Sequence, residues 1–139
     1  MAISQAMCSS YKSELLGAIH DMDTDVFYIA LYTSSATLSA ATTVYSTSNE
    51  VVAAGYTAGG NILTGAIITL SGTTAFVDFA DSTWTTATIT ARGALIYNFS
   101  KGNKAVAVLD FGGDKASTAG NFTVIMPTPD AANALIRIA

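Results

Sequence analysis

At 139 residues the chain has the length of one domain, and with 50% of its residues apolar and only 12% charged it has the composition of a packed fold, not of a disordered segment. A net charge of −4 with only 6 basic residues, all scattered, provides no patch to neutralise phosphates, so nucleic acid is not an expected partner. No run approaches twenty consecutive apolar residues and no charged, then apolar, leader opens the chain, so neither a spanning helix nor a secretion signal is expected.

Residues 4–19 carry the spacing of an amphipathic helix. Met7, Tyr11, Leu15, Ala18 and Ile19 recur every three or four positions, Lys12 and Glu14 fall off that stripe, and Ser4 is placed to cap the first turn. The helix is expected to end near His20, whose ring would meet the negative end of the helix dipole. An acidic run follows at Asp21, Asp23 and Asp25.

From there the period changes to two. Residues 26–33 read as a strand with Phe27, Ile29 and Leu31 on one side and Tyr28, Ala30 and Tyr32 on the other. Residues 34–60 are rich in Thr, Ser and Ala and end in a glycine cluster; they read as a long irregular excursion, mobile until an outside partner orders it. Strands are expected over 62–70 (broken at Gly65), 75–79, 85–99 (bent at Gly93), 105–111, 122–126 and 134–138. Ser71-Gly72 marks a turn, Ser100 to Asn103 a hairpin loop, and 112–121 a polar loop. About seven strands at short intervals, without helical crossovers, predict a mainly β fold: an antiparallel β-sandwich or jelly-roll-like barrel with one N-terminal α-helix. The chain reads as one β domain over 1–139, with the helix in 1–20 and the sandwich in 26–139.

The side chains that could carry chemistry are few. Asp21, Asp23 and Asp25 have the opening spacing of a calcium loop, but its sixth and twelfth places hold Val26 and Tyr32, where glycine and glutamate are needed, so a solvated turn is expected. His20 has no metal-ligating or catalytic companions at a suitable spacing. The single cysteine, Cys8, reads as a small buried apolar group. Asp78, Asp81, Asp110 and Asp114 cannot be paired from sequence, and Asp78 and Asp110 are expected to cap turns or meet Arg92. Gly55 to Gly60 lacks the ending of a phosphate loop. Trp84 is expected in the core, with a sugar-stacking platform as the other reading. No catalytic residue, metal site or cofactor is therefore expected, and the chain is not read as an enzyme.

Several long stretches resemble one group of proteins. The opening MAISQAMC with residues 12–20 (KSELLGAIH), residues 30–41 (ALYTSSATLSAA), 55–60 (GYTAGG), 79–98 (FADSTWTTATITARGALIYN) and 104–111 (KAVAVLDF) resemble small virion structural proteins of tailed bacteriophages. The resemblance implies a virion component assembled in the host cytoplasm, most simply a capsid decoration or cement protein. Its partners would be the major capsid protein or other virion proteins, and copies of itself as a homo-oligomer, with no nucleic acid and no membrane. A receptor- or carbohydrate-binding module of a fibre, using Trp84 and the tyrosines of 26–33, is the alternative, followed by a tail or neck component. The low charge suits such a life, because neutral surface is cheaply desolvated. The N-terminal helix and the excursion are the expected contact regions, with Tyr11, Leu38, Tyr45 and Tyr56 as their contact residues.

Overall fold

Aromatic and branched side chains concentrated in Phe27–Tyr32 (β2) and Thr90–Asn98 (β7) put these two strands side by side at the centre of the molecule, covered on both faces. In the computed structural model, which describes residues 2–139, they belong to a five-stranded antiparallel sheet. Ala6–Met7 (β1), Asn61–Ile62 (β3) and Lys104–Ala116 (β8) complete it, in the order β1-β8-β7-β2-β3. Ile67–Ser71 (β4), Thr74–Asp78 (β5) and Ile136–Ile138 (β10) form a second antiparallel sheet with β5 in the middle. Ser82–Ala87 (β6) and Gly120–Val124 (β9) pair as a two-stranded ribbon. The fold is mainly β with one helix, Ser9–Leu16 (α1), as its sequence pattern predicts.

Antiparallel partners share a face, so the register from Phe27↔Asn98 to Tyr32↔Gly93 sorts the central side chains into two sets. Phe27, Ile29 and Leu31 lie with Asn98, Ile96 and Ala94; Tyr28, Ala30 and Tyr32 lie with Tyr97, Leu95 and Gly93. The first face is covered by α1, the acidic turn and the second sheet: Phe27 meets Phe79 at 5.7 Å between ring centroids, and Asn98 meets His20 and Asp25. The second face is covered by residues 34–60. There Tyr45 stacks on Tyr97 at 4.5 Å, and the Tyr97 hydroxyl donates to the Gly59 carbonyl at 2.7 Å. Three sheets that do not close on themselves, with cover on both faces of the largest, make the layering sandwich-like.

Two glycines are required by this packing. A Cβ on Gly60 would stand 1.8 Å from the Ile29 carbonyl oxygen, and its φ is +81°. A Cβ on Gly93 would stand 2.6 Å from the Leu109 carbonyl oxygen and 2.9 Å from the Ile3 side chain, at a shift in the β7–β8 register.

Four expectations are corrected. The helix does not span 4–19. Residues 6 and 7 pair with β8, the Ser4 amide donates to the Leu38 carbonyl, and the Cys8 amide donates to the Val106 carbonyl, so the chain is extended until Ser9 and Ser4 caps nothing. The helix then stops at Leu16 because Ala18 takes φ 59°, with the Ile19 amide bonded to the Glu14 carbonyl and the Ala18 amide to the Leu15 carbonyl, a Schellman ending. Residues 85–99 are not one strand: the chain passes from the ribbon to the central sheet between Ala87 and Thr90, with Ile89 fully buried at the crossing. Residues 112–121 are not one loop, since β8 continues to Ala116 and β9 starts at Gly120.

Residues 34–60 are irregular, as expected; the fourth correction is that backbone hydrogen bonds join them to the sheet. The Tyr45 amide donates to the Asn103 carbonyl, the Ala105 amide to Thr43 and the Val51 amide to Leu31. Ile3 and Leu38 form an isolated parallel bridge, and Tyr32 and Glu50 an antiparallel one.

Candidate interaction surface

Two polar clusters lie inside the molecule, one on each face of the central sheet. On the excursion side, Glu50 is 6% exposed and its carboxylate is held by neutral donors. The Tyr45 hydroxyl donates to Oε1 at 2.7 Å, and the Tyr56 hydroxyl and Gly59 amide donate to Oε2 at 2.5 and 2.8 Å. Burial first, then the Glu50 carboxylate, push both phenols well above their usual range, so they remain donors. Tyr97 is raised to about 12 by the same two causes.

On the helix side, His20 is buried and stacks on Tyr11 at 4.8 Å between ring centroids. The Asn98 amide nitrogen lies 3.0 Å from His20 Nδ1, which therefore accepts, leaving Nε2 to donate to Glu14 Oε1 at 3.0 Å. The same Asn98 nitrogen donates to Asp25 Oδ2 at 2.7 Å, and Lys101 pairs with Asp25 Oδ1 at 3.1 Å. Burial alone would raise the Asp25 carboxyl; the hydrogen bonds from Asn98, the Asp21 amide and Lys101 outweigh it and hold the group below its ordinary value. With both ring nitrogens engaged, this cluster ties the acidic turn and the helix to β7. His20 sits beyond the helix end, not on its last turn.

The acidic run is more than a solvated turn. Asp21 Oδ1 accepts from the Asp23 and Thr24 amides while Asp25 faces inward, so the three carboxylates do not converge. Among the described residues, no group of three or more His, Cys, Asp or Glu side chains is placed to hold a metal ion. Cys8 is fully buried, and burial, with a smaller push from Glu14, raises its thiol to about 11. Asp110 does meet Arg92, at 3.0 Å, whereas Asp78 accepts from the Phe79 and Leu135 amides.

The four expected contact residues are turned inward. Tyr11 is 0% and Leu38 7% exposed, and the hydroxyls of the half-buried Tyr45 and Tyr56 are spent on Glu50. Trp84, the expected stacking platform of the carbohydrate reading, is 4% exposed and packs against Tyr56 and Phe122. Tyr32, on the same proposed platform, is also buried.

What the surface does offer is apolar. Val52 is 97%, Leu16 91%, Ile125 77%, Leu70 73% and Ile67 68% exposed. Leu16 ends the helix on one side of the central sheet and Val52 lies in the excursion on the other. An apolar groove of about 140 Å³ runs between α1 and the second sheet, lined by Tyr11, Leu15, Met22, Ile68, Ile136 and Ile138. Sequence reasoning missed these positions because an exposed leucine in a short helix and an isoleucine pair in an edge strand have the same pattern as core residues. No helix among the described residues is long and apolar enough to cross a membrane.

No protein-family model, curated protein or solved structure matches the chain.

Proposed function

We propose that the chain is a structural component of a tailed-phage particle, a decoration or cement protein that bridges neighbouring capsid subunits. The observation that carries this reading is the distribution of bare apolar side chains: Leu16 at the end of α1, Val52 in the excursion and Ile125 just after β9 stand exposed, in a chain with few charges. A bridging protein needs more than one contact face, and neutral Ser, Thr and Ala surroundings lose little solvation when covered. The buried Glu50 and His20 clusters tie the excursion and the helix to the central sheet, which suits a domain contacting neighbours on two sides. The virion setting comes from the resemblance drawn from the sequence stretches alone, among them residues 79–98 and 104–111.

Quantitative mass spectrometry of purified particles tests this. The expected result is hundreds of copies per particle, in constant ratio to the major capsid protein. A few copies per particle would point to a fibre, neck or tail position, and absence from particles would end the virion reading.

A further inference from the structure

The edge strand β4 is built as an interior strand is built. Ile67, Ile68 and Leu70 put apolar side chains on both of its faces, and all three are more than half exposed. Natural edges are normally protected by charge, proline, a bulge or shortness. The edges of the central sheet, β1 and β3, are two residues each, and the other edge of the second sheet, β10, carries Arg137. The exposed face of the β6–β9 ribbon carries Thr83, Thr85, Asn121 and Thr123, which are polar. β4 has none of these devices: the sequence holds no charged residue from 51 to 77.

We propose that β4 pairs antiparallel with β4 of a second copy across a two-fold axis at Thr69, joining two three-stranded sheets into one of six strands. The register follows from the hairpin. Ser71 pairs with Thr74 across the Gly72-Thr73 turn, and alternation along the ladder then turns the backbone amides and carbonyls of Ile68 and Leu70 away from β5, toward the open edge. A two-fold at Thr69 sets Ile68 opposite Leu70 of the second copy, and Leu70 opposite its Ile68. These are the residues whose backbone groups are free to bond, so both rings of hydrogen bonds close and the interface is self-complementary.

The side chains agree with that register. Ile68 and Leu70 share a face with Ala75, Val77, Ile136 and Ile138, so pairing makes one apolar face continuous across both copies and joins the two grooves. Ile68, Leu70 and Ile138 are each more than half exposed on that face, and Ile67 is 68% exposed on the other, so pairing would cover apolar surface on both sides of the new strand pair. With no like charges meeting at the axis, the −4 charge of each copy is kept away from the contact. The pairing needs nothing of the virion reading and would stand if that reading fell.

Sedimentation of the full chain, with a cysteine scan along β4, tests it. At ~50 μM, suited to an interface near the small end of the range, the wild type is expected as a dimer, and Leu70→Lys is expected to weaken self-association about tenfold or more. Thr69 faces its own copy as a non-hydrogen-bonded pair, about 4.5 Å between Cα atoms, which is within disulfide reach. Thr69→Cys should therefore cross-link under mild oxidation, and Ile67→Cys and Ser71→Cys should not. The native Cys8 is fully buried and stays out of the reaction. A wild-type monomer, a dimer indifferent to Leu70→Lys, or cross-linking at 67 or 71 in place of 69 would each overturn the pairing. If Leu70→Lys fails to fold by circular dichroism, wild-type sedimentation and the Thr69→Cys result decide alone.

Discussion

The Tyr56 hydroxyl bridges two buried groups: it donates to Glu50 Oε2 at 2.5 Å and accepts from the Leu31 amide at 2.9 Å. Leu31 belongs to β2 and is fully buried, so one phenol links the excursion's only buried carboxylate to the backbone of the central sheet.

Tyr56→Phe removes both bonds: it strands the buried Leu31 amide and leaves Glu50 Oε2 with the Gly59 amide alone, a loss expected to be about 2–3 kcal/mol. Tyr45→Phe removes one bond to the other Glu50 oxygen and should cost about 1 kcal/mol. Urea unfolding of the two variants checks the order. Equal losses would mean that the Leu31 amide finds another partner.

A helix ending on alanine leaves stability unclaimed. Ala18 adopts φ 59°, a conformation that glycine takes without its Cβ penalty. Ala18 is exposed, so nothing is lost by removing its methyl group. Ala18→Gly is expected to raise stability by about 0.5–1 kcal/mol in thermal or urea melts. A destabilisation would mean that the helix end is not held in this form.

The middle of the central sheet could be read from sequence, because β2 and the facing parts of β7 and β8 combine alternation, aromatic content and a turn at 100–103, signals that act over a few residues; the start of β7, the end of β8 and the short edges β1 and β3 could not. The helix boundaries could not. The stripe from Met7 to Ile19 is real as spacing, but Met7 is taken by a strand partner a hundred residues away, at Ala107, and no local pattern records that. Gly17 marks the end of the helix, yet it serves as the C-cap while Ala18 takes the left-handed position usually given to glycine. The buried clusters were hidden for a related reason. Glu50 and Asp25 look like surface acids, and only long-range partners, Tyr45 and Tyr56 for one and Asn98 and Lys101 for the other, make them interior groups.

Asp25 gives the fold a pH dependence of definite sign. Its carboxyl is held below the ordinary value, so it stabilises the fold as the anion: the contribution is complete above the unfolded pKa, about 4, and is lost as pH falls through the lower folded value. Unfolding free energy should therefore drop on acidification from pH 5 toward the depressed pKa. Asp25→Asn should show lower stability at pH 7 and a flatter acid limb. An unchanged acid limb would move the dependence to the other lowered carboxyls, Asp21, Asp110, Asp130 and Glu14; burial raises Glu14, but hydrogen bonds from His20 and Lys104 and the Lys104 charge prevail.

Cys8 is expected to be silent in the native protein. With its thiol raised to about 11, roughly one molecule in a thousand carries thiolate at pH 8, and the group is fully covered. A thiol-specific reagent should label it at the rate of unfolding, and at once in denaturant. Fast native labelling would show that the β1–α1 corner opens.

The final expectation reverses the one drawn from composition. Residues 34–60 are rich in small neutral side chains, which reads as a mobile loop, but composition is blind to where backbone hydrogen bonds go. Here the Val51 amide is bonded to β2 at 2.9 Å, the Tyr45 amide to Asn103 at 2.9 Å, and the Gly60 amide to Thr57 at 3.0 Å, under a stack of Tyr45 on Tyr97. Covering the second face of the central sheet is the segment's structural role, since without it Tyr97, Leu95 and Ala30 would face water. Hydrogen exchange on the isolated protein should therefore show a mixed profile: protection at Tyr45 and Val51 approaching that of β7, and fast exchange at Val52, whose side chain is 97% exposed. Uniformly fast exchange from 34 to 60 would mean that the excursion is ordered only by an outside partner, and that the central sheet is open on one side until it binds.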